Sequence, residues 1–246
     1  MVRTASGPDP ADAGTARSRP APVVAVVLLS LAAGATDAIS LLHLGGIFSS
    51  VVTGNIVVLG AAAAGVELPT LVRVLVAVGL YGVGVFVGAR LAALPRYAAS
   101  PGLRWHPRAA LGCLAVEVVL LAAFWAGWLA AGGAPTGDVQ VPLIALAGLA
   151  MGLQAVAVRA LGRAELSTTY LTGSLTRIIA SIGTPGWRRR FDGVQAWALG
   201  GVLIGAGIAA VVVRYLPWAG PLPAVLCTVT AGVVVLRMRS RVVYFL

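Results

Sequence analysis

Hydrophobic residues gather in six long blocks along this chain, over residues 23–42, 71–91, 109–129, 141–161, 194–213 and 222–236, separated by short polar connections. About 20 apolar residues in a helix cross the roughly 30 Å of a bilayer's hydrocarbon, so the blocks predict transmembrane helices. Two further stretches, 47–65 and 166–183, are apolar on average but interrupted by Ser, Thr and Gly, with Asn in one and Tyr in the other. How those two thread decides the topology.

The pattern occurs twice. Asp37 stands seven residues before Leu44-Gly45, and Gln154 stands seven before Leu161-Gly162. Gly84 and Gly88 recur 117 residues later as Gly201 and Gly205. Thr53-Gly54-Asn55 recurs as Thr172-Gly173-Ser174, 119 residues on, an offset that a two-residue insertion explains. An internal duplication in a membrane protein points to a solute pathway between the halves. The chain then divides into a disordered tail (1–22), a first membrane repeat (23–131), a second (141–238) and a cytoplasmic C-terminal tail (239–246).

Charge placement chooses among threadings. Arg90, Arg96, Arg104 and Arg108 surround one connection, Arg188 to Arg190 follow the seventh window, and Arg237, Arg239 and Arg241 end the chain. The positive-inside rule puts all of them in the cytoplasm. The connections at 130–141 and 215–221 carry no Arg and are expected outside. Eight crossings cannot satisfy every cluster in either orientation. Six crossings with two re-entrant segments can, with both termini cytoplasmic. Each half then crosses three times, which makes the repeats inverted. The expected fold is thus an all-α integral membrane protein of six transmembrane helices plus two re-entrant or broken segments, with seven or eight crossings as the alternative.

Composition confirms the class. Hydrophobic residues make up 59% of the 246 and charged ones 11%, and the mean hydropathy of +0.95 leaves too little polar surface for a soluble domain. All 18 basic residues behind the net charge of +10 are Arg, and most cluster between hydrophobic segments, so the charge reads as topology rather than nucleic-acid binding. Two Cys and two His are too dispersed for a structural zinc site, and no phosphate-binding loop is present. Neither a cofactor, a metal nor an enzymatic activity is expected.

The candidate chemistry lies at membrane depth. Non-helical backbone there must be buried or line a wet cavity. Gly54 and Gly173 permit the turns, and the hydroxyls and amide around Thr53, Asn55, Thr172 and Ser174 can complete backbone hydrogen bonds. Two half-helix N-termini of about ten residues would point at one place and favour a polar or anionic solute. Asp37 is costly in a membrane helix unless paired, and Arg177 is the preferred partner. Asp37 and Glu117 are the candidate proton or ion coupling groups; Thr53, Gly54, Asn55, Gln154, Thr172, Gly173, Ser174 and Arg177 are the candidate solute-binding set. Each has a blander reading, Asp37 with Arg177 as a structural pin and Glu117 as a helix contact. The Gly-xxx-Gly motifs read as close helix packing in equivalent places.

The run Gly34 to Ser40, Leu44-Gly-Gly46, Phe48 and Thr53-Gly-Asn55, with Gly152-Leu-Gln154, Arg159 to Gly162 and Thr168 to Gly173, resembles the YoaK family of small bacterial inner-membrane proteins. The resemblance runs from about Val23 to the C-terminus and implies the membrane class, with no substrate attached. The reading is a bacterial inner-membrane channel or secondary transporter for a small polar or anionic solute, its partners being the lipid bilayer, the solute and, compatibly, further copies of itself. The alternative is a non-transporting scaffold or accessory subunit of a larger complex.

Overall fold

The computed structural model describes residues 20–95, 106–162, 171–182 and 193–243, which form eight α-helices and no strand. They are α1 (Pro20–His43), α2 (Val52–Ala64), α3 (Leu68–Ala92), α4 (Pro107–Ala130), α5 (Gln140–Ala160), α6 (Leu171–Ile182), α7 (Gly193–Tyr215) and α8 (Leu222–Val243). Six are long and apolar enough to span a membrane, and they coincide with the six hydrophobic blocks. Proline opens α3 and α4 in their first turn, where a missing N–H costs nothing. Gly132, Gly133 and Gly162 adopt positive φ just beyond α4 and α5 and turn the chain out of each helix.

Cross-helix hydrogen bonds fix the helix directions. Gln140 Nε2 donates to the His43 carbonyl at 2.8 Å, and Gln154 Nε2 to the Leu29 carbonyl at 2.8 Å, so α5 runs antiparallel to α1. The end of α4 joins the same face: Trp128 meets the His43 ring edge-on, and its Nε1 donates to the Pro217 carbonyl at 2.7 Å. At the opposite face the His106 N–H donates to the Ala160 carbonyl. The bundle therefore has a His43 face and a His106 face, and the two described chain ends both lie at the latter.

These directions settle the first ambiguous stretch. On α3, Ala77 lies against Gly148 of α5, and Gly88 lies against Val156, so α3 runs parallel to α5 and starts at the His43 face, where α1 ended. Residues 44–67 leave that face and return to it. With 13 residues, α2 spans about 20 Å, too short to cross. The three-residue link Gly65-Val66-Glu67 folds it back on α3, and Val66 takes φ 55°, left-handed backbone that a β-branched side chain disfavours. Likewise α5 ends and α7 begins at the His106 face. The expected second re-entry involves residues 163–170 and 183–192, which lie outside the described ones; α6 packs against α7.

The most extensive helix contacts are α1 with α7 and α3 with α5. Since α5 is the repeat of α1 and α7 the repeat of α3, these are one contact made twice, with the halves exchanged. Glycine makes both possible. A Cβ on Gly34 would stand 2.1 Å from the Val202 carbonyl oxygen and one on Gly205 2.1 Å from that of Leu31; across the other pair, Gly84 and Gly152 would meet Leu149 and Tyr81 carbonyls at 2.4 and 2.3 Å. Such backbone approach is how small residues join membrane helices. The Gly-xxx-Gly motifs thus occupy equivalent places, each against the first helix of the other repeat. Because α1 and α5 are antiparallel, the repeats are inverted.

Candidate functional site

Asp37 lies on α1 six residues before its end, about 9 Å beneath the His43 face by helical rise. There it receives the dipping segment. Its Oδ1 accepts the N–H groups of Ser49 and Ser50, both at 2.8 Å, and its Oδ2 accepts the Ser50 hydroxyl at 2.5 Å. Beside them Ser40 and Ser49 share a 2.5 Å Oγ–Oγ hydrogen bond. All of these residues are buried. The backbone just before α2 thus finds at depth the acceptors that lipid cannot supply. A carboxyl group beside a helix N-terminus also suits the helix dipole.

Asn55 completes the turn from the other side. Its Oδ1 accepts the Phe48 N–H at 2.9 Å and its Nδ2 donates to the Phe48 carbonyl at 2.6 Å, so one side chain closes both polar groups of one residue. A Cβ on Gly54 would press on the Phe48 ring at 3.3 Å, so the ring packs closely over the bare Cα between Thr53 and Asn55. Thr53 itself is exposed. Asp37, Ser40, Ser49, Ser50 and Asn55 form one polar knot that holds the first re-entrant segment.

A second polar group lies deeper. Glu117 is ten residues, about 15 Å, into α4 and fully buried. Its Oε1 accepts the Thr228 hydroxyl of α8 at 3.2 Å, while its Oε2 is buried with no hydrogen-bond partner. One turn to either side, Leu114 belongs to the packed layer of Leu29, Leu153 and Ala157, and Leu121 to that of Ala33, Ala150 and Met151. Glu117 therefore sits between these two groups near mid-depth, whereas Gln154 is six residues, about 9 Å, from the end of α5. The Gln154 Oε1 also lacks a partner.

The predicted set is thus split over two levels. Asp37 and Gln154 do not share one site: Gln154 bonds Leu29, eight residues and about 12 Å along α1 from Asp37. Inverted repeats explain this, because matched residues near opposite faces are mirrored across the midplane. The side chains of Thr172, Ser174 and Arg177 lie outside the described ones, and with them the Asp37–Arg177 pairing; Gly173 is exposed. Sequence reasoning missed Thr228, a lone hydroxyl in an apolar run, and Gln140, which bridges the His43 and Pro135 carbonyls.

The two faces differ. Trp128, Trp218, His43 and Gln140 close the His43 face, with Trp125 Nε1 donating to the Trp218 carbonyl at 3.0 Å. At the His106 face a cavity of about 450 Å³ opens between α3, α4 and α5, lined by Val85, Ala89, Ala109, Val156, His106 and Arg159 among others.

Comparison with known proteins gives the same class. Residues 25–234 match the family model described as protein of unknown function (DUF1275). The chain is 36% identical over 155 residues to the UPF0700 transmembrane protein YoaK of Bacillus subtilis (strain 168), a match covering 63% of this chain and 64% of that protein's length. No solved structure matches. With its family match spanning nearly all the helical bundle, and six helices fit to cross a membrane, the chain belongs to the YoaK/DUF1275 family and is a multi-pass membrane protein.

Proposed function

We propose that this protein is a bacterial inner-membrane channel or secondary transporter for a small polar solute, without enzymatic activity. The observation that carries the reading is the re-entrant segment: irregular backbone held about 9 Å deep on Asp37 and Asn55, within an inverted repeat. Broken helices at membrane depth need burial in protein or a wet cavity, and transporters use them to form solute sites. The buried, unpartnered oxygens of Glu117, at mid-depth, and of Gln154, nearer the His106 face, supply further polar contacts.

Two refinements follow from the geometry. Asp37 already occupies the anion position at the N-terminus of α2, which favours a neutral polar solute over an anion at that place. Its three accepted hydrogen bonds make it an anchor, leaving Glu117 as the better proton carrier. The His106 face carries Arg90, Arg108, Arg159, Arg237 and Arg239 among the described residues, against Arg73 and Arg214 toward the other, so we assign it to the cytoplasm, together with both termini.

Osmotic reswelling of proteoliposomes tests the reading, with neutral polyols, zwitterionic amino acids and small carboxylates as probes. Faster reswelling than protein-free vesicles for one probe class, lost in Glu117→Leu, is expected. No acceleration for any class, together with a stable copurifying membrane partner, would replace it with the scaffold reading.

A further inference from the structure

The cavity at the His106 face is a lateral slot. α3 and α4 both lie against α5 and make less contact with each other, and Ala89, which lines the space between them, is exposed on the outside of the bundle. Its deeper wall is Val85, Ala89, Ala109 and Val156, all small and apolar. Its mouth is polar, formed by His106 and Arg159 at the N-terminal end of α4. His106 makes no side-chain cap bond to α4, and its Nδ1 is buried without a partner. Arg159 is exposed, and none of the four described acids can reach it: Asp37 and Asp138 lie toward the His43 face with Glu67, and Glu117 is at mid-depth.

An apolar slot headed by a cation, an unpaired imidazole nitrogen and a helix N-terminus is complementary to an anion joined to a hydrocarbon chain. A free anion would use the mouth and leave the slot empty. A zwitterionic lipid would bring its own cation toward Arg159. We infer that this slot binds an anionic phospholipid, one acyl chain lying along Ala89 and Val156 and the phosphate held by His106 and Arg159. The site is separate from the polar knot and stands without the transport reading.

Native mass spectrometry of the full-length protein, released from detergent after incubation with phosphatidylglycerol, phosphatidylcholine or inorganic phosphate, tests this. The protein is expected to retain phosphatidylglycerol about tenfold better than phosphatidylcholine. Arg159→Gln combined with His106→Asn should remove that preference, and Ala89→Phe, which fills the slot at an exposed position, should reduce retention with the mouth intact. Arg214→Gln, at the opposite face, should change neither. Equal retention of the two lipids, or loss of preference in Arg214→Gln as well, overturns the proposal. So does displacement of phosphatidylglycerol by inorganic phosphate alone, which would make the mouth a simple anion site.

Discussion

Replacing Asp37 by Ala removes the acceptors of two backbone N–H groups and one hydroxyl at once. Ser49 and Ser50 are buried, so the freed N–H groups gain no water, and each costs about 1–3 kcal/mol. The expected loss is about 2–6 kcal/mol, enough to release residues 44–51 from their depth. Asp37→Asn behaves differently. Its carbonyl oxygen can still accept both N–H groups, and the Ser50 hydroxyl can turn to accept from the new amide, so the loss is about 1 kcal/mol. Unfolding in mixed micelles by titration with dodecyl sulfate, followed by tryptophan fluorescence, measures both. Asp37→Ala within about 0.5 kcal/mol of the parent would refute the anchor, since surface changes alone stay within that range. Asp37→Asn as damaging as Asp37→Ala would show that charge, rather than acceptor geometry, holds the segment.

The same assay reads other contacts in the bundle. Gly205→Leu and Gly84→Leu should cost about 3 kcal/mol or more, because the new side chain meets a backbone carbonyl; Gly79→Ala and Gly207→Ala, which face open space, should be neutral or gain up to about 1 kcal/mol. Val66→Gly should stabilise by about 1 kcal/mol through relief of its left-handed backbone, and a loss would mean that the α2–α3 link is not strained. Trp128→Phe loses both the bond to Pro217 and part of a fully buried indole, for an expected cost of about 2–4 kcal/mol.

The long helices were legible because about 20 apolar residues have one stable form in lipid, with every backbone group paired internally. The duplication was legible in the matched Gly pairs and the Asp37 and Gln154 positions, and the return of the 47–65 window to the face it left, expected from arginine placement, agrees with α3 starting where α1 ends. What spacing could not show was depth. Repeated residues look like members of one site along the chain, but inversion mirrors them, so Asp37 and Gln154 lie about 12 Å apart along α1. Nor did the sequence show what Asp37 does. A lone carboxyl group in an apolar run reads the same whether it carries an ion or receives two backbone N–H groups twelve and thirteen residues later. Thr228 was invisible for a related reason, since a single hydroxyl in a membrane helix more often bonds its own backbone, as Ser30 and Thr36 do here.

Residues 44–67 enter and leave the bundle on one face, the arrangement on which the transport reading depends. Single cysteines at Glu67, Asp138 and Arg108, introduced as Glu67→Cys, Asp138→Cys and Arg108→Cys in a chain lacking Cys113 and Cys227, can be labelled with a membrane-impermeant thiol reagent on intact and opened cells. Glu67→Cys and Asp138→Cys should react from the same side and Arg108→Cys only from the other. Labelling of Glu67→Cys together with Arg108→Cys would contradict this arrangement, make α2 a crossing segment and remove the basis of the transport reading.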